Sequence, residues 1–318
     1  MRLVIQAGLV AAVTVALALT VGQIGGHRPA GVVPGGAAVD LAVFDETDVQ
    51  VALIDPQPLD RMVVLSGHSL TDPLPYPLER LVRAAGGPTW TIHRSTIPGS
   101  PMDWRWNHPG EPVDARERIA DYDVLVITER VSLAGTRPWH DSDAWALRWA
   151  GHAWENGAGG AGAEALLYAT WVAFERDPPA DSNDPDSGRP WRERLDREYA
   201  DWLAILAYVN ANRPDGAPEM RMIPANRVMA AVYDAIAGGQ APAGLPEIGV
   251  LFSDDIHLSE MGADLVALTH FAVLYGRDLQ GLPRPGEVPA ETWRWMKRLV
   301  AEVVSADPAT GVRVTAAP

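Results

Sequence analysis

From about residue 60 the chain alternates short apolar runs with longer amphipathic segments, and no other feature restricts the fold as much. Such alternation predicts a parallel sheet covered by helices, an α/β fold. The run "YDVLVITE" (Tyr122 to Glu129) is nearly continuous in apolar residues. That suits a central strand covered on both faces. Further strands are expected in "MVVLSG" (from Met62), "TWTIHRS" (Thr89 to Ser95), "AEALLYATWV" (Ala163 to Val172) and "MRMIPA" (Met220 to Ala225). Helices are expected between them. One ends at Gly157, and another covers "PWRERLDREYADWLAILAYVNAN". A third ends in a double glycine after "ANRVMAAVYDAIA", a fourth opens at Ser259, and a fifth spans "PAETWRWMKRLVAEVVS". The acid-rich alternating stretch "VDLAVFDETDVQVALIDPQPLD" fits an edge strand or an ordered arm equally well.

At the front of the chain, Arg2 is followed by an uncharged, mostly apolar run from Leu3 to Val21. This predicts a signal peptide or signal anchor over residues 1–24, with anchoring to a membrane as one outcome. A Gly/Pro-rich linker is expected over 25–38, and a single domain over 39–318. The expected location is outside the cytoplasm: periplasmic, secreted or anchored. The chain carries 26 basic against 41 acidic residues, a formal charge of -15, and no basic stripe. Nucleic acid is therefore not an expected partner. Cysteine is absent, which excludes disulfides, thiolate metal sites and a cysteine nucleophile.

Two segments carry chemistry. Ser69 follows the first strong strand within "SGHSLTD", and "FSDDIHLSEMG" stands near the other end of the chain. Asp254 and His257 are separated by two residues just before a helix. A carboxylate that accepts from one imidazole nitrogen fixes the tautomer, so the other nitrogen can take a proton from a hydroxyl. Ser69, Asp254 and His257 thus form a candidate triad. Asp255 is the rival acid, and the plain alternative for Ser69 is a helix cap. No glycine sits two residues after Ser69, which disfavours an α/β-hydrolase with its G-x-S-x-G turn.

"GHSLTD", "STIPGSPMDWRW" and "SDDIHLSEMG" resemble the first, second and last blocks of the SGNH, or GDSL-like, hydrolase superfamily. The resemblance spans about residues 60 to 276. It implies a flavodoxin-like three-layer sandwich with a parallel five-stranded sheet. It also implies ester hydrolysis through an acyl-enzyme, with Ser69 as nucleophile, His257 as base and Asp254 as its orienter, and no cofactor or metal. The backbone N–H groups of Ser69 and Gly99 would face the oxyanion. The chain departs from the family twice. His68 replaces an aspartate outside the triad, and the third block lacks its asparagine donor. Glu129, if protonated, and Asn107 are the candidate replacements.

His270 reads as a packed core histidine, and His93, His108, His140 and His152 show no metal spacing. Asp177, Asp181, Asp184 and Asp186 cluster in one loop. Pro185 and the lack of a glycine six positions from Asp181 break a calcium-loop pattern, so a solvated loop is expected. Among the 12 tryptophans, Trp90, Trp104, Trp106, Trp139 and Trp171 lie in or near strands and the segments after them. Core packing is their commoner use, and stacking on sugar is the functional alternative. The expected activity is an exported serine esterase removing acetyl or other small acyl groups, with an acylated carbohydrate as the leading substrate. An acyltransferase, and a non-catalytic binder of glycan or a partner, are the alternatives.

Overall fold

The computed structural model describes residues 52–53, 56–174, 183–312 and 314–315. The expected leader, the expected linker and the start of the expected domain lie outside these residues. No helix among the described residues is long and apolar enough to cross a membrane.

In chain order the elements are β1 (Ala52–Leu53), β2 (Val63–Gly67), α1 (Pro75–Ala84), β3 (Ile92–Thr96), α2 (Met102–Asn107) and β4 (Glu111–Pro112). There follow β5 (Val124–Ile127), α3 (Leu133–His140), α4 (Ser142–Asn156), β6 (Glu164–Tyr168), α5 (Trp191–Asn212) and β7 (Arg221–Ile223). The chain continues through α6 (Ala225–Ala237), α7 (Glu260–Tyr275), α8 (Ala290–Ala306) and β8 (Val314–Thr315). The main sheet has the order β4-β3-β2-β5-β6-β7. Its five central and right-hand strands are the five read from the sequence, and all pair in parallel. The sheet nevertheless has six strands rather than five. The extra one, β4, is an antiparallel Glu-Pro pair at the edge beside β3. Two residues without an apolar run leave no strand pattern, and proline is tolerated at an edge because no further ladder bond is needed there. The undecided early segment supplies β1, which pairs with β8 in a separate two-stranded sheet.

Side-chain alternation along the strands divides the core into two layers. Val63, Leu65, Val124, Val126, Leu166 and Tyr168 face one way, toward Leu78, Val228, Phe271 and Val300 on α1, α6, α7 and α8. Val64, Leu125, Ile127 and Leu167 face the other way, toward Met102, Trp149, Trp202 and Ile205 on α2, α4 and α5. The result is a three-layer sandwich with the flavodoxin-like strand order. Helix α7 is buried from Gly262 to Tyr275, which explains why its sequence is apolar around the whole circumference.

Most tryptophans serve packing. The indole N–H groups of Trp149, Trp171, Trp191, Trp202 and Trp293 each donate to a main-chain carbonyl. Of the five singled out in the sequence, Trp171 is buried and Trp106 packs against Trp149 and Arg148, whereas Trp90, Trp104 and Trp139 are exposed. In the acidic loop, Asp184 pairs with Arg194, and Asp186 pairs with Arg189 and Arg197. Those two acids are neutralised by arginine, while Asp177 and Asp181 lie outside the described residues.

His270 is the packed core histidine expected. Its Nδ1–H donates to the Val266 carbonyl at 2.9 Å, and its ring meets Tyr168 edge-on. Burial lowers its pKa to about 4. The unfolded chain therefore binds this proton first as pH falls. The histidine's contribution to stability is complete above about pH 6.5 and is lost progressively toward pH 4, at about 1.4 kcal/mol per pH unit. Urea midpoints between pH 7 and 4.5 should fall less steeply in His270→Gln than in the wild type. Equal slopes would refute this role.

Candidate active site

β2 ends in buried Ser66 and Gly67, and the chain then turns sharply. A Cβ on Gly67 would lie 2.0 Å from the Thr71 hydroxyl, so the turn closes only around glycine. The Thr71 N–H donates to the His68 carbonyl at 2.8 Å, and Ser69 is carried in this turn. Ser69 does not cap the following helix. The cap position of α1 is Leu74, without a side-chain cap bond. The Ser69 hydroxyl instead lies 2.9 Å from His257 Nε2.

His257 stands in the loop before α7. An antiparallel bridge between Phe252 and Leu258 closes this loop, and the Ser253 N–H donates to the His257 carbonyl. At the helix start, the Ser259 hydroxyl donates to Val250 O and accepts from Gly262 N. Gly262 is required here, because a Cβ would come within 2.1 Å of the Leu251 carbonyl. From the β6 side, the Trp171 indole holds the Ile256 carbonyl at 2.9 Å, and Phe174 N–H holds that of Asp255.

Within the loop, Asp254 Oδ1 accepts from the N–H groups of His257 (2.7 Å) and Ile256 (2.9 Å). Its other oxygen, Oδ2, lies 2.7 Å from His257 Nδ1. These bonds, led by the His257 N–H, lower the Asp254 pKa to about 2. An ionised carboxylate can only accept, so His257 carries its proton on Nδ1 and presents the bare Nε2 to Ser69. Asp254 is thus the carboxylate that His257 meets. Asp255 is exposed and meets the site only through its main chain. The histidine and aspartate side chains are 44% and 56% exposed, which leaves the dyad open to incoming molecules.

Gly99 lies in the loop after β3, which is anchored by Ile97 N–H on the Gly67 carbonyl. Its φ of +66° suits glycine, and a Cβ there would meet only open space. Among the described residues, neither the Ser69 nor the Gly99 N–H is given to a protein acceptor.

The two candidate replacement donors fare differently. The Asn107 amide is turned onto the Asp103 carbonyl of its own helix at 2.8 Å, and the residue is exposed. Glu129 does lie at the site, fully buried after β5. There it acts as an acceptor: its Oε1 takes the N–H groups of Met102 (3.0 Å) and Arg130 (2.7 Å). Burial raises its pKa, and the Arg105 charge is the main opposing influence.

Arg105 and the environment of His68 were not legible in the sequence. Arg105 is buried and donates to Ser100 O, the Ser100 hydroxyl and Thr128 O, which ties the Gly99 loop to the end of β5. Burial lowers its pKa only to about 10, so it stays charged near neutrality. His68 Nε2–H donates to the Glu129 carbonyl at 3.1 Å. Burial first, and the Arg105 charge second, hold the His68 pKa at about 3, so it is a neutral brace. The described residues contain no cluster of three or more groups able to hold a metal ion.

Ser69, Gly99, Glu129 and His257 all follow the carboxyl ends of parallel strands or the loop beside them, where α/β sheets place their sites. No family profile matches the chain, and no curated protein does. Among solved structures, a DUF4886 family protein from Bacteroides uniformis overlays with a TM-score of 0.58. The overlay covers 80% of this chain and 97% of that one at 14% identity. The likeness is one of fold, a mostly parallel sheet between two layers of helices. A candidate SGNH hydrolase from Slackia heliotrinireducens overlays at 0.43, with 17% identity over 66% of this chain and 96% of that one. A lipase from a goat rumen metagenome gives 0.38, with 15% identity over 68% and 99%. In this α/β fold an unbroken hydrogen-bond chain runs from Ser69 through His257 to Asp254.

Proposed function

We propose that this chain is a serine esterase that removes acetyl or other small acyl groups. The observation that carries the reading is the 2.9 Å and 2.7 Å hydrogen-bond chain from Ser69 through His257 to Asp254. In the first half-reaction Ser69 Oγ attacks the ester carbonyl while His257 Nε2 takes the hydroxyl proton. The carbonyl oxygen becomes an oxyanion between the N–H groups of Ser69 and Gly99, each worth roughly 3 kcal/mol. The intermediate collapses, the alcohol leaves with the proton from His257, and the acyl group stays on Ser69. Water then attacks the acyl-enzyme with His257 again as base, and the carboxylic acid departs.

Glu129 has a structural part in this scheme. By accepting from Met102 and Arg130 it fixes the start of α2 against the end of β5. Exposed Trp104 and Trp139, on α2 and α3, favour a carbohydrate as the alcohol, because indole rings stack on sugar faces. The apolar leader favours action outside the cytoplasm.

A fluorophosphonate probe tests the nucleophile directly. The expected result is a single adduct on the Ser69 peptide by mass spectrometry, with labelling lost in His257→Ala. An adduct elsewhere, or none, would refute the assignment.

A further inference from the structure

β2 and β5 are neighbours, and their parallel register sets Ser66 beside Ile127. Past the strand ends the two chains stay together, since the His68 ring bonds the Glu129 carbonyl. One residue further along each chain stand Ser69 and Arg130, so the two share one rim of the sheet. His68, between them, feels the Arg130 charge.

Arg130 is half-buried, and among the described residues its guanidinium meets a hydroxyl and an imidazole but no carboxylate. Nε points to the Thr136 hydroxyl at 3.4 Å, and one terminal nitrogen faces His140 Nε2 at 3.5 Å. His140 Nδ1 in turn lies 3.0 Å from Asp103 Oδ2. Asp103 accepts a hydrogen bond from Nδ1–H, which leaves Nε2 as the nitrogen facing Arg130. The guanidinium is braced from behind by α2 and α3, and neither bond is short enough to satisfy it. Its remaining donors form a planar fork suited to a carboxylate. In a chain with 41 acidic residues, an arginine braced this way and left without an acid partner calls for a ligand.

We propose that Arg130 binds a carboxylate carried by the ester substrate. The substrate class is then an O-acyl ester of a hydroxy acid, acidic sugars included. This rests on the esterase reading above.

The test compares 4-acetoxybenzoate with its methyl ester in the wild type, Arg130→Gln and Arg130→Lys. The readout is the ratio of kcat/KM for acid over methyl ester within each protein, which cancels general damage to the site. The wild-type ratio should exceed that of Arg130→Gln by about 10- to 100-fold, mainly through KM, with Arg130→Lys in between. Equal ratios in the wild type and Arg130→Gln would overturn the inference. If the wild type turns over neither ester, the esterase reading fails separately, and carboxylate recognition is read by calorimetry on Ser69→Ala. Binding of 4-acetoxybenzoate that disappears in Ser69→Ala/Arg130→Gln upholds the inference, and absent or unchanged binding overturns it.

Discussion

Ser69→Ala should lower kcat/KM for a small activated acetate ester by on the order of 10⁴-fold or more. The side chain loses only its hydroxyl, and that hydroxyl makes no cap or core contact. Its described partner is His257 Nε2. The unfolding midpoint should therefore barely move, which separates loss of chemistry from loss of fold. His257→Ala should be about as damaging, and the double variant no worse than either single one, because the two groups act as a unit. Asp254→Asn should do less harm. The His257 and Ile256 N–H groups still find an oxygen there, but the amide can donate to Nδ1 and so favours the wrong tautomer. The assay is initial rates on purified protein at neutral pH. Equal rates for the wild type and Ser69→Ala would sink the triad.

Arg105→Met should be the most destabilising of the substitutions considered, at about 3–5 kcal/mol. Arg105 is buried and still charged, and it donates to three acceptors on two different loops. Removing it takes away the charge that most opposes the upward pKa shift of buried Glu129, and strands the Ser100 and Thr128 carbonyls. The melting temperature should drop by on the order of 10 °C. Adding Glu129→Gln to Arg105→Met should recover part of the loss, because the amide no longer needs a nearby positive charge. The two substitutions should be strongly non-additive in a double-mutant cycle. A loss below 1 kcal/mol, or simple additivity, would show that Arg105 is not the counter-charge.

Much of this organisation is legible in the sequence because it is local. β2, β5 and β6 are apolar runs with a glycine or polar stop, and all five parallel strands appear where expected. Asp254 and His257 are three residues apart, so one loop can hold both. Ser69 is recognisable because a hydroxyl at a strand exit has few uses. What escapes is what depends on packing between distant segments. Arg105 lies on a short helix between two tryptophans, and only its neighbours reveal that it shares the buried face with Met102. Glu129 occupies the place of a donor, yet two main-chain N–H groups from separate segments converge on its Oε1. Asn107 looks available in the sequence but is spent within its own helix turn. The edge pair Glu111–Pro112 has no pattern to read.

The buried length of α7 bears on how this protein ages and breathes. The acid and the base hang from the start of that helix through Ser259 and Gly262. Proteins open in cooperative pieces, and the cheapest openings involve segments with little buried surface. Here any fluctuation that frees the dyad by moving its anchor must also bare the middle of the hydrophobic core. Slow amide exchange should therefore reach up to the edge of an otherwise solvent-washed loop, and the imidazole should keep its place until the whole molecule lets go.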